Sequence, residues 1–402
     1  MSRWALAGLA WALLVLAALW VPVNRLPVPA GYEVTTWFET FQPRGLMGTL
    51  AGALRLTPPQ FVWLNLAGEA IFLFLLLLAL ARAWESRTPD GPDRRAPWLG
   101  LVLLAILLSM HQVVFFGHFL SGFIDIHSAV LTLGAVHLLA LGPRPPGRLA
   151  LGLAAALSIV SLLNHEKSIF DASILAAWLW LSFGPRVAAG YFVPVAVGLV
   201  AFLLPTSEQA YMGNSLPEYW MNVEKGAAFL RAESGSLIGI FWGGGFAWLL
   251  WLFGAGRLVR AGSRESPAAL KKAVVFVLVT LLACLVPLLL AHDTSRYVGL
   301  MWLPTLLMLI TTGVGSLLAG SRRFLGVVAL LALLQVSLPP LFVFNFAAVP
   351  LNCYAQRAVR ALCAQEPRRQ RDGLDHWLVL YEDGGHRPWY LKRCGRLRAF
   401  RH

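Results

Sequence analysis

The chain has 402 residues, 58% of them hydrophobic and 13% charged, with a formal net charge of +13 and a mean hydropathy of +0.66. A soluble domain carries roughly a quarter charged residues, so composition excludes an ordinary soluble enzyme. The apolar residues come in long blocks and not in short alternating segments, which excludes a strand barrel.

In chain order, apolar blocks predict eleven membrane-spanning helices, at roughly 4–21, 60–82, 97–118, 124–142, 148–163, 171–184, 187–204, 236–255, 273–291, 297–318 and 324–347. The first follows Arg3 and is too long for a cleaved signal core, so it reads as a retained signal anchor. The loop after it, 22–59, interleaves Trp37, Phe38 and Phe41 with Glu33 and Glu39, and Pro43 and Gly45 bracket Arg44. Aromatics of this kind favour the membrane interface. The second block runs from Ile71 to Leu80 without a polar residue, but carries Asn65 and Glu69 on one helix face. His111, His118, Asp125 and His127 surround the next connection, and Asp125 and His127 are candidate ligands for a metal.

Asn164-His165-Glu166-Lys167-Ser168 then separates two short blocks, with Asp171 just beyond. Polar groups at membrane depth are costly and tend to be functional. The loop 205–235 is long enough to act as a lid over a site. His292-Asp293-Thr294-Ser295-Arg296 sits at the mouth between two long blocks, and Asp293 and Arg296 are spaced to pair or to converge on one ligand.

The expected organisation is an all-α polytopic bundle over 1–349, followed by a small module over 350–402. The module carries Cys353, Cys363 and Cys394 and a hairpin-like turn at Glu382-Asp383-Gly384-Gly385. With the N-terminus cytoplasmic, Lys and Arg concentrate in the inner loops, as the positive-inside rule requires. The tail then lies outside, in the periplasm of a bacterial inner-membrane protein. The same rule accounts for the net positive charge. No nucleic-acid reader motif occurs, so nucleic acid is not an expected partner.

Each polar cluster alone also reads as an interfacial anchor or a polar turn. Together they share one face. The inner loops hold many Arg but only the acids Glu85, Asp90, Asp93 and Glu265, whereas the outer mouth mixes acids, bases and His. That mixture suits transfer of a phosphate-linked group: cations hold the phosphate while a carboxylate or His takes a proton from an acceptor hydroxyl.

In its span layout, its acidic and aromatic first outer loop, and its Pro-Arg-Gly-Leu, His-Glu-Lys and Asp-Thr-Ser-Arg stretches, the chain resembles the GT-C class of membrane glycosyltransferases. The resemblance implies a polyprenyl-phosphate-linked sugar donor, membrane lipid as surroundings, and a glycan, lipid or protein acceptor. It implies an acidic base in the first outer loop, at Glu33 or Glu39. Glu166, His165 and Asp293 join them as candidate catalytic groups, and Arg44, Lys167 and Arg296 as phosphate holders. A divalent metal, Mg or Mn, is compatible with the class and not required by it. The competing readings are an O-antigen-type polymerase or ligase, a lipid-linked-sugar transporter or flippase, and a non-catalytic envelope scaffold.

Overall fold

The structure is a computed structural model that describes residues 45–85, 98–109, 125–165, 167–203, 240–241, 243–286, 299–313, 322–338, 341–344 and 347–350. Among these the fold is all-helical apart from one short ribbon. The helices are α1 (Gly45–Ala53), α2 (Pro58–Glu85), α3 (Trp98–Ser109), α4 (Asp125–Ala140), α5 (Arg148–Asn164), α6 (Ser168–Phe183), α7 (Pro185–Leu203), α8 (Ala247–Glu265), α9 (Pro267–Leu285), α10 (Trp302–Thr312) and α11 (Arg322–Ser337). A 3-10 turn, Gly299–Met301, leads into α10, and β1 (Leu341–Phe344) pairs antiparallel with β2 (Ala347–Pro350).

Breakers set the ends of these apolar helices. Gly184, at φ 92°, separates α6 from α7. Ser266 separates α8 from α9 and caps the latter, its Oγ accepting from the Ala269 amide at 3.1 Å, with Pro267 in the first helical turn. The α8–α9 hairpin closes tightly because Gly262 has no side chain. A Cβ there would stand 3.0 Å from the carbonyl oxygen of Ala269 and 3.0 Å from the Cα of Leu270, backbone atoms that cannot swing away. Gly262→Val is therefore expected to cost about 2 kcal/mol through overpacking, read as a lower melting temperature of the purified protein.

Contacts fix the direction of each helix. Asn65 meets His127 and Leu75 meets His137, so α2 and α4 run parallel. Ser128 meets Asn164 while Gly134 faces Leu157, so α4 and α5 are antiparallel. Ser158 meets Tyr191 and Ile159 faces Gly198, so α5 and α7 run parallel. Gln335 meets Phe246 and Phe324 meets Phe253, so α11 runs against α8.

These directions sort the charges. Arg82, Arg144, Arg148, Arg186, Arg257, Arg260, Arg264, Lys271, Lys272, Arg322 and Arg323 all fall at one end of the bundle. Among the described residues only Arg55 and Lys167 fall at the other.

The apolar core also holds many polar side chains, and apolar faces are left exposed. Asn65, Ser161, His165 and Thr280 have no exposed surface, whereas Leu149 is 76% and Leu333 65% exposed. Val193, Val197 and Val200 make an exposed apolar face on α7, and Leu278 and Leu282 one on α9. A water-soluble monomer rarely exposes continuous apolar faces while burying this many polar side chains.

Two helices, Trp63–Trp84 and Pro267–Leu285, are long and apolar enough to cross a membrane. The remaining helices offer apolar stretches of 10–17 residues, against about 20 for a full crossing, so the eleven-span layout is not established by the described helices.

Several expected boundaries move. The block expected at 273–291 begins earlier, at Pro267, so Lys271 and Lys272 are helical. The block expected at 324–347 is corrected more sharply. Its helix ends at Ser337, and 341–350 turns back as the β1–β2 ribbon. Pro339-Pro340 supplies no amide donor and cannot continue a helix. The first expected span, 4–21, and the tail beyond 350 lie outside the described residues.

Candidate functional site

At the end of the bundle away from the basic residues, α4, α5, α6 and α7 enclose a knot of buried polar side chains. The chain turns from α5 to α6 within three residues. His165, in extended conformation, donates its amide to the Ser161 carbonyl at 2.8 Å, and the Ser168 amide donates back to the His165 carbonyl at 3.0 Å. This tight turn draws His165 and Lys167 inward. His165 has no exposed surface and Lys167 only 2%. A lysine buried to that degree is rare unless it is partnered. The His165 Nδ1 accepts from the Lys167 amide at 3.3 Å, which fixes the ring over the turn.

Serines and an asparagine tie the helices together. The Asn164 side-chain amide donates to Ser128 Oγ at 2.7 Å. Ser161 Oγ donates to Ser168 Oγ at 2.8 Å, and Ser168 Oγ donates to the Ser161 carbonyl at 3.1 Å. Deeper, Ser158 Oγ and the Tyr191 hydroxyl share a 2.7 Å hydrogen bond between α5 and α7. Ser158 lies six residues before the end of α5, about 9 Å along the axis. Hydroxyl and amide pairs of this kind join helices where no water competes.

Asp171 is the hub of the knot. It lies one turn after Lys167 on α6 and is buried. Its Oδ2 accepts from Thr132 Oγ1 on α4 at 3.4 Å. Its carboxyl is within electrostatic reach of Lys167, of Tyr191 on α7 and of Cys284 on α9. Among the described residues Oδ1 has no hydrogen-bond partner. A buried carboxylate oxygen with an open lone pair, beside a buried ammonium, can accept a proton or hold a cation, and the ammonium can hold an anion.

A second polar pair lies on another face of α4. His127 donates through Nε2 to Asn65 Oδ1 at 2.7 Å, and its ring packs over Gly68, where a Cβ would stand 3.2 Å from the ring. Glu69 is buried one turn beyond Asn65. His127 thus serves the α2–α4 seam. Among the described residues no three His, Cys, Asp or Glu side chains converge in a way that could hold a metal. The Asp125 side chain lies outside the described residues.

The structure therefore brings together two of the residues singled out in the sequence, His165 and Lys167. Glu33, Glu39, Arg44, Glu166, Asp293 and Arg296 lie outside the described residues. The described chain that flanks several of them lies at this end of the bundle. Asn65, near the start of α2, is at the same end as His127 and Ser128. The last turns of α9 carry Cys284 beside Asp171, and α10 begins at this end because Thr311, near its close, meets Trp178 far along α6.

In the sequence Asp171 stands out only as a neighbour of the polar stretch. The available signal is its spacing: four residues after Lys167 on a helix, it shares that residue's face. Thr132, Ser158 and Tyr191 give no such signal, since nothing in their own segments marks the partners that other helices bring beside them.

The fold and the knot define an apolar-surfaced helical bundle with a buried, mixed-charge site at its non-basic end. No family model matches the chain, and no curated protein or solved structure matches it.

Proposed function

We propose that this chain is a polytopic membrane protein, with its basic end cytoplasmic and its Lys167 end on the outer side, that transfers a glycosyl group from a polyprenyl-phosphate-linked donor. Three observations support the membrane placement. Continuous apolar faces are exposed while a set of polar side chains is buried among the apolar core, two helices are long enough to cross, and the basic residues gather at one end as the positive-inside rule requires. The single observation that carries the chemistry is the buried Lys167–Asp171 neighbourhood at the opposite end.

In this reading the Lys167 ammonium holds the donor phosphate. The acceptor hydroxyl attacks the anomeric carbon as the bond from that carbon to the phosphate oxygen breaks. The bonding pair leaves on the phosphate, whose charge Lys167 stabilises, and the acceptor proton passes to Asp171. Thr132 fixes the carboxyl through Oδ2, which leaves Oδ1 for the proton. His165 shapes the turn that carries Lys167. Glu39, Glu33, Glu166 and Asp293 remain candidates for a second carboxylate, and Arg44 and Arg296 for further phosphate contacts.

The test is genetic and chemical. Cells lacking the protein should accumulate lipid-linked sugar, and the wild-type chain should clear it. Asp171→Asn, at normal expression, should lower product formation about a hundredfold or more, while Ser263→Ala, on the exposed basic end, should leave it unchanged. Full product from Asp171→Asn would defeat the assignment of the base. Accumulation confined to the inner leaflet would point instead to a carrier that moves the lipid-linked sugar across.

A further inference from the structure

A cleft of about 480 Å³ opens at the basic end, between the last turn of α6, the second half of α8, the start of α9 and the end of α10. Its walls include Leu258 and Ala273, and its charged groups are Arg257, Lys272 and Glu265. It lies at the other end of α6 from Lys167. α6 is 16 residues long, so the two sites are about 20 Å apart along its axis. The transfer chemistry makes no use of this cleft.

Its donors can be identified. Thr311 Oγ1 donates to the Leu307 carbonyl and Thr312 Oγ1 to the Met308 carbonyl, both at 2.7 Å, so neither hydroxyl proton faces the cleft. The Ser182 and Ser266 hydroxyls also line the cleft, and the cations are the lining groups whose charge attracts an anion. Both Arg257 and Lys272 are half-buried, and the Arg257 guanidinium lies 5.9 Å over the Phe253 ring, which holds it in place. The N-terminus of α9 lines the cleft through Ala268 and Ala269, and the C-terminal turns of α6, α8 and α10 line it too, so the helix ends add no net positive charge and the side-chain cations carry the attraction. Against these stands the Glu265 carboxylate on the rim. Two cations and one anion leave a net charge of about one, which matches a singly charged phosphodiester and not a polyphosphate.

An apolar path adjoins the cleft. Phe253 and Leu249 precede Arg257 by one and two turns on the same row of α8, and they are 38% and 49% exposed. A headgroup held by Arg257 would place its chain along that row, inside the bilayer that the proposed placement puts around it.

We infer that this cleft binds the phosphodiester headgroup of an anionic membrane lipid, with Arg257 and Lys272 as its cationic contacts and the Phe253–Leu249 row as the bed for an acyl chain. The inference rests on the membrane placement proposed above and is independent of the chemistry at Lys167.

Purified full-length protein in non-ionic detergent should be titrated with phosphatidylglycerol, phosphatidylcholine and inorganic phosphate, and binding read from the shift in melting temperature. Phosphatidylglycerol is expected to bind more tightly than phosphatidylcholine. Arg257→Gln and Lys272→Gln are each expected to weaken it about tenfold. Arg260→Gln, exposed on α8, is expected to leave it unchanged. Equal binding of the two lipids, or unchanged binding in both cleft variants, overturns the inference. Inorganic phosphate displacing the lipid at equal concentration also overturns it, in favour of a soluble phosphate ligand. If Arg257→Gln does not fold, Lys272→Gln decides alone. Release of the chain from membranes by alkaline carbonate would instead defeat the placement itself.

Discussion

Lys167→Met is expected to destabilise the folded protein by about 3 kcal/mol or more, and adding Asp171→Asn is expected to return most of that loss while transfer stays abolished. The asymmetry follows from burial. Lys167, at the N-cap of α6, and Asp171, in its first turn, lie four residues apart, both almost wholly buried. Removing the ammonium leaves a carboxylate beside Thr132 and Tyr191 without its compensating charge. Desolvation of an uncompensated buried charge is expensive, whereas replacing both charges by neutral groups of similar size is close to neutral. A residue pair kept only for stability would show full activity in the refolded double variant. A pair kept for chemistry would not, because the phosphate holder and the proton acceptor are both gone. Melting temperature and product formation, measured on the same three proteins, separate the two cases.

Gly245→Val is expected to cost about 3 kcal/mol. Gly245 has φ 54°, in the left-handed region that a β-branched residue strongly disfavours, at roughly 1–2 kcal/mol. A Cβ there would also collide with the side-chain amide of Gln335. That amide is buried and already engaged. Gln335 Oε1 accepts from the Phe246 amide at 2.7 Å and so ties α11 to the start of α8. Displacing it leaves a partly buried amide without its partner, at roughly 1–3 kcal/mol more. Gly245→Ala should lose less, and Gln335→Leu should reproduce the second part of the cost without the backbone part. Thermal denaturation of the three variants in detergent tests the division.

Much of the helical layout is legible in the sequence because long apolar blocks leave few alternatives, and Gly184, Ser266-Pro267 and Pro339-Pro340 punctuate them. Helix ends are less legible. Lys271 and Lys272 have the character of loop residues, yet Ser266 caps a helix that already includes them. Past the Pro339-Pro340 break, a run of apolar residues has the character of continued helix and is a strand pair, since apolar character alone does not separate the two.

The site is legible as a polar interruption and not as geometry. His165 and Lys167 stand out as charged or titratable residues between two apolar blocks. Their burial does not, because it depends on how tightly α5 turns into α6 and on Thr132, Ser158 and Tyr191, brought from three different helices. No periodicity in one segment reports what another segment will place beside it.

Both the proposed transfer site and the proposed lipid cleft require the two ends of the bundle to face opposite sides of a membrane. Single cysteines at Leu54→Cys, next to the start of α2, and at Gly147→Cys, in the exposed turn before α5, mark those ends on a background without the four native cysteines. In intact cells a membrane-impermeant maleimide is expected to label the cysteine at 54, and the one at 147 only after permeabilisation. Equal labelling of both in intact cells, or of neither until lysis, would contradict that placement.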